Sequence, residues 1–155
     1  MTDANRAAYL DALKMVSRRE LSEAQVRQRL ARRGHPAQAI DAAVERLRDE
    51  RAIDDVRVAE AIARTQVSAR KRGELRVRRQ IQQAGISPAA ATKAAREAFE
   101  AIDADELLEA SLRKRLRGRD RPADEAEFRR LSRYLIGQGF EPDRVLAALN
   151  RRRKD

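Results

Sequence analysis

An all-α fold built as three tandem three-helix units is what this sequence predicts, and three observations predict it. Ala, Leu, Arg, Glu, Gln and Lys, all favourable helix formers, dominate the 155 residues, with only 6 Gly and 4 Pro. Apolar residues recur at helical spacing and almost never alternate with polar ones over four or more positions. The chain also repeats itself around Gly34, Gly85 and Gly139. Leu30, Ile81 and Leu135 stand four residues before these glycines, and Val26, Val77 and Leu131 eight before. Ile40, Ala91 and Val145 follow six after, and Val44, Ala95 and Leu149 ten after. Pro36, Pro88 and Pro142 come two or three residues behind the glycines.

Each element has a local reason. Tyr9, Leu13 and Val16 share one face of a helix over 5–18. Val26 and Leu30 form the stripe of a helix over 23–33, which Gly34 stops by adopting the left-handed conformation that other residues resist. After Pro36, Ile40 and Val44 mark a helix over 37–50. Asp54 and Asp55 are placed to cap a helix over 55–70 with Val58 and Ile62 inward. Val77, Ile81 and Ala84 line 74–84, closed by Gly85, and Ala91 and Ala95 line 89–100 behind Pro88. Asp103 or Asp105 caps a helix over 105–117 carrying Leu108, Leu112 and Leu116. Leu131 and Leu135 define 124–137 up to Gly139, and Val145 and Leu149 define 142–152. The expected units are 1–52, 53–102 and 103–155. A unit of ~50 residues has little core of its own, so an elongated, curved array is expected.

Composition excludes much chemistry. There is no cysteine, hence no disulfide or thiolate site, and one histidine, His35, hence no histidine cluster. His35 reads as a packing residue beside the Gly34 turn. No Gly-rich phosphate loop or serine elbow is present, and no acidic pair rises to a reaction class. Neither a membrane-span run nor a signal-peptide pattern occurs, so a cytoplasmic, non-enzymatic protein without cofactors is expected.

The net charge of +10 divides evenly, as +3, +4 and +3 over the three units, but three clusters stand out. Arg70, Lys71, Arg72, Arg76 and Arg79 form a central group. Arg72, Arg76 and Arg79 would lie opposite the Val77–Ile81 stripe if the turn is helical back to Arg72. Arg113, Lys114, Arg115 and Arg117 run off the seventh helix, and Arg151, Arg152, Arg153 and Lys154 close the chain. Such clusters suit phosphate or an acidic protein face, without neighbouring aromatics for base stacking. A base-reading helix-turn-helix is not supported. The second helix of the first unit's helix–turn–helix pair carries Asp41, Glu45, Asp49 and Glu50 against Arg46 and Arg48, a poor match to a major groove.

The residues Ala12-Leu13, Ser17 to Ser22 and Ile53-Asp54-Asp55-Val56-Arg57-Val58-Ala59 resemble the RecX family. So do the spacing of Gly73, Arg76-Val77, Ile81 and Gly85-Ile86, and the stretch Arg130-Leu131 to Gly139-Phe140. Two positions depart from that family's pattern: Val58, where an aromatic is usual, and Glu74 after Gly73, where proline is frequent. The resemblance implies a negative regulator of the recombinase RecA, and the chain itself is expected to be a monomer. It would lie in the groove of the RecA–DNA filament and contact single- or double-stranded DNA backbone. It would modulate ATPase, strand exchange and co-protease activity in DNA repair and the SOS response. The alternative is a nucleic-acid binder without sequence preference and without a recombinase partner.

Overall fold

The computed structural model describes residues 1–154. Among them are nine helices and no strand: α1 (Asp3–Arg18), α2 (Glu23–Arg32), α3 (Ala37–Asp49), α4 (Asp55–Ser68), α5 (Glu74–Gln83), α6 (Pro88–Ala98), α7 (Ala104–Leu116), α8 (Glu125–Gly137) and α9 (Pro142–Lys154). Every extensive helix–helix contact falls within one of the triplets α1–α3, α4–α6 and α7–α9. The buried side chains accordingly form three clusters. Val26, Leu30, Val44 and Leu47 centre the first, Val77, Ile81 and Ala91 the second, and Leu112, Leu116, Leu135 and Leu149 the third. The edges interlock: Ile53 is buried in the first cluster, while Ala104 and Leu107 pack on the second. The accessible surface is 9875 Å², against about 7,900 Å² expected for a compact monomer of this mass. Three small cores in series expose more than one large core would.

The three glycine turns are built as their sequence suggests. Gly34, Gly85 and Gly139 have φ of 86°, 85° and 103°. At the first and third, the N–H of the following residue returns to the helix, His35 to the Leu30 carbonyl (3.2 Å) and Phe140 to that of Leu135 (3.3 Å). Asp54 caps α4 through Val56 N and Arg57 N, and Asp103 caps α7. Asp55 does not cap its own helix. Its Oδ1 accepts from the N–H of Glu23 at 2.9 Å, so it satisfies an orphan donor of α2 in the neighbouring triplet.

The middle helices meet end to end. The Ser22 hydroxyl at the start of α2 donates to the Ala84 carbonyl at the end of α5. The Gly73 N–H at the start of α5 donates to the Gln138 carbonyl at the end of α8 (2.8 Å), and Leu75 N–H donates to Gly139 (3.1 Å). Donor-rich N-termini thus abut acceptor-rich C-termini, a favourable alignment of helix dipoles. A Cβ on Gly73 would overlap the Gly139 backbone, so the closeness of the second and third triplets requires glycine on both sides.

Candidate nucleic-acid interface

α5 begins at Glu74 with Gly73 as its N-cap, so Arg72 precedes the helix and the expected continuous stripe is broken there. Arg72 turns toward α8, where its guanidinium contacts the Gln138 side chain. Arg76 donates to the Gly137 carbonyl at 3.0 Å. Both residues are half-buried and join the second triplet to the third. Burial first, then the charges of Arg76 and Arg70, hold the Arg72 guanidinium below its ordinary pKa. Arg79 and Arg113 are exposed and stand outside the cleft described next.

The remaining predicted cations converge. Arg70 and Lys71, just past α4, face Lys114, Arg115 and Arg117 from the end of α7 across a cleft of about 1120 Å³. Arg119 and Arg130 complete its basic wall, and Leu107, Leu131 and Tyr134 supply apolar surface. Among the described residues Glu127 is the one carboxylate lining the cleft, and Arg119 pairs with it at 2.7 Å, holding its carboxyl below the usual carboxylate range. Among the described residues, no carboxylate oxygen lies within 4 Å of Arg70, Lys71, Lys114, Arg115, Arg117 or Arg130. Lys71 and Arg117 hold left-handed backbone (φ 53° and 52°) at a cost of about 1 kcal/mol each, where glycine would be relaxed. Arg51, in the α3–α4 link, is the other such residue among those described.

Sequence reasoning missed the α8 contribution. Tyr134 brings an aromatic ring into the basic surface, with the Arg115 guanidinium 3.5 Å from its centroid. The signal was present in α8, where Arg130 and Tyr134, at i and i+4, flank the Leu131–Leu135 stripe.

Several arginines outside the cleft are engaged, while others, among them Arg6, Arg18, Arg19, Arg29 and Arg32, have no ion pair among the described residues. Arg27 pairs with Glu23 and Asp41, Arg33 with Asp11, Arg46 with Glu50, and Arg48 with Glu23 rather than with the nearer-in-sequence Glu45. His35 sits beside the Gly34 turn as expected, with Nε2 2.7 Å from Asp11. That hydrogen bond, then Arg33, lowers the Asp11 pKa. The terminal run continues as helix, with Arg151 and Arg152 on Glu109 and Arg153 on Glu125. Among the described residues there is no acidic or histidine cluster of metal-site size, and no helix is long and apolar enough to cross a membrane.

Known proteins show the same architecture. The family described as RecX, first three-helix domain, matches residues 8–47. The regulatory protein RecX of Halorhodospira halophila is 33% identical over 146 residues, which cover 94% of this chain and 88% of that protein. The regulatory protein RecX of Xanthomonas campestris pv. campestris is 34% identical over 137 residues, covering 88% and 82%. The crystal structure of RecX from Lactobacillus salivarius superposes with a TM-score of 0.78 over 100% of both chains at 18% identity, a likeness of fold. Nine helices in three triplets, carried by this sequence across nearly the full length of those relatives, place the chain in the RecX family of regulatory proteins.

Proposed function

We propose that this chain is a non-enzymatic negative regulator of RecA that binds in the groove of the RecA–DNA filament. There it lowers ATPase, strand-exchange and co-protease activity in the cytoplasm. The repeat boundaries at 52/53 and 102/103 belong to this reading, which treats each triplet as one lobe of a filament-spanning ligand. The observation that supports it most is the basic cleft between the second and third triplets, where seven cations face one carboxylate, Glu127, which pairs with Arg119 alone. Such a surface has a large favourable interaction in reserve for a polyanion, because binding releases counterions and needs no internal ion pair to be broken. Arg70, Lys71, Lys114, Arg115 and Arg117 are its DNA- or filament-facing residues, and Arg72 and Arg76 fix the geometry of the two walls.

The test replaces Arg70, Lys71, Lys114 and Arg115 together by Ala and follows the single-stranded-DNA-dependent ATPase of RecA. Inhibition is expected to disappear with the circular dichroism spectrum unchanged. Full inhibition by the folded variant would remove the cleft from the mechanism. The alternative, a nucleic-acid binder without a recombinase partner, is recognised by DNA binding that leaves RecA activity unaltered.

A further inference from the structure

The end-to-end contacts within the chain leave one position of each kind unused at its two ends. The start of α2 grips the end of α5, and the start of α5 grips the end of α8. Among the described residues, the end of α2, at the Gly34 turn, and the start of α8, at Asp124, have no such neighbour. Gly34 is exposed, and a Cβ built on it would meet nothing within 4 Å, whereas Gly85 is covered by Ala24 and Gly139 by Arg76. Asp124, Glu125 and Ala126 are exposed, and the N–H groups of Asp124 and Glu125 have no protein acceptor among the described residues.

The two unused ends reproduce much of the equipment of the used ones, except that Asp124 stands where the Ser22 hydroxyl donates to the Ala84 carbonyl. The gripping end of the first triplet reads Ser22-Glu23-Ala24-Gln25, and that of the third reads Asp124-Glu125-Ala126-Glu127. In the first, Glu23 is neutralised from α3 by Arg48 (2.6 Å), fourteen residues beyond Gly34. In the third, Glu125 is neutralised from α9 by Arg153, fourteen residues beyond Gly139. On the receiving side, Asp55, the first residue of α4, accepts the Glu23 N–H, and Asp3 is the first residue of α1. Asp3 has no ion pair among the described residues and is exposed, free to accept in the same way. The Arg32 and Arg33 side chains at the receiving end also oppose the carboxylate of Asp124 in charge. The Glu20–Arg57 pair of the internal junction has no counterpart, since Asn5 and Pro122 stand at those places.

We infer that a second copy of this chain docks its α8 N-terminus on the Gly34 turn, so that copies add head to tail. Ala126 of one copy covers Gly34 of the next as Ala24 covers Gly85. The Glu125 N–H reaches Asp3 as that of Glu23 reaches Asp55. The contact is heterologous and open-ended. It is weaker than the internal junction, which is tethered by the chain, so the free protein is monomeric when dilute. Copies held side by side on one polymer would gain that tethering. That last consequence rests on the filament reading; the contact itself does not.

Because the chain has no cysteine, Arg33→Cys and Ala126→Cys provide the only thiols. The two single variants are mixed at high concentration, without DNA or recombinase, and treated with a short bis-maleimide. The 33–126 product is expected in excess over 33–33 and 126–126, the doubly substituted chain is expected to give a ladder, and Asp3→Lys is expected to suppress the mixed product. Sedimentation velocity of the unsubstituted chain should show mass rising with concentration. Equal yields of the three products, a closed dimer, or no product at any concentration would overturn the inference. Since recombinase is absent, these results leave the ATPase test of the regulatory reading untouched.

Discussion

Four arginines of the first triplet and the cations of the cleft between the second and third carry their positive charge in opposite ways. Their thirds of the chain have nearly equal net charge, yet Arg27, Arg33, Arg46 and Arg48 each have a carboxylate at 2.6–3.3 Å. The cleft cations Arg70, Lys71, Lys114, Arg115 and Arg117 have none within 4 Å among the described residues. Arg6, Lys14, Arg18, Arg19, Arg29, Arg32 and Arg51 of the first triplet also lack an ion pair among the described residues. A charge total therefore does not locate an interface. Paired arginines are already committed, and drawing them to a phosphate means giving up an internal partner; unpaired ones repel each other until an anion arrives.

The comparison is broken most directly by the salt dependence of DNA binding. Replacing Arg70, Lys71, Lys114 and Arg115 by Ala is expected to flatten the slope of log affinity against log salt, by about 0.7 for each single-strand phosphate no longer neutralised. The same number of changes at Arg27, Arg33, Arg46 and Arg48 is expected to leave the slope unaltered. An equal flattening in both would erase the distinction between the two regions.

Glycines sharpen it next. Gly73→Ala drives a Cβ into the Gly139 backbone and is expected to lower stability by about 3 kcal/mol through overpacking, read by urea unfolding. Gly34→Ala meets open space and bears only the left-handed backbone penalty of about 1 kcal/mol. If the two cost the same, the close approach of the second and third triplets is not what fixes Gly73.

Arg117→Gly separates function from stability within one residue. Relaxing its left-handed backbone is expected to raise stability by about 1 kcal/mol, while the salt slope falls by about 0.7. A drop in stability would show that Arg117 is retained for the fold.

The smallest effect lies in the first triplet. The His35 hydrogen bond, with Arg33, lowers the folded-state pKa of Asp11. The carboxylate therefore contributes stability above its unfolded pKa and loses that contribution as pH falls through the lowered folded value. Asp11→Asn is expected to lower the melting temperature near neutral pH and to narrow its fall between neutral and acidic pH. An unchanged acid profile would show that the Asp11–His35–Arg33 cluster adds nothing to folding.

Much of this is legible in the chain itself, for identifiable reasons. The nine helices follow from apolar spacing and from glycines that end helices, both local properties, and the observed ends lie within two residues of those expected. The basic runs at 70–71 and 114–117 are readable because their members are neighbours in sequence. Arg130, Tyr134 and Gln138 are not, because α8 reaches the cleft only through tertiary packing. Arg72 and Arg76 look like part of a free stripe because the start of α5 at Glu74 depends on Gly73 docking against α8. Asp55 looks like a local cap because its acceptor role toward Glu23 spans two triplets. Helix ends are decided nearby; which charges stay unpaired is decided by the whole fold.

The central claim, that unpaired charge gathered in the cleft rather than total charge carries the regulatory contact, is tested by one charge-matched comparison of RecA inhibition. The ATPase of RecA on single-stranded DNA is measured with the cleft variant (Arg70, Lys71, Lys114 and Arg115 to Ala) and with the first-triplet variant (Arg27, Arg33, Arg46 and Arg48 to Ala). Abolished inhibition by the first and near-complete inhibition by the second is the expected result. Equal inhibition by both, with each variant folded, would contradict the account.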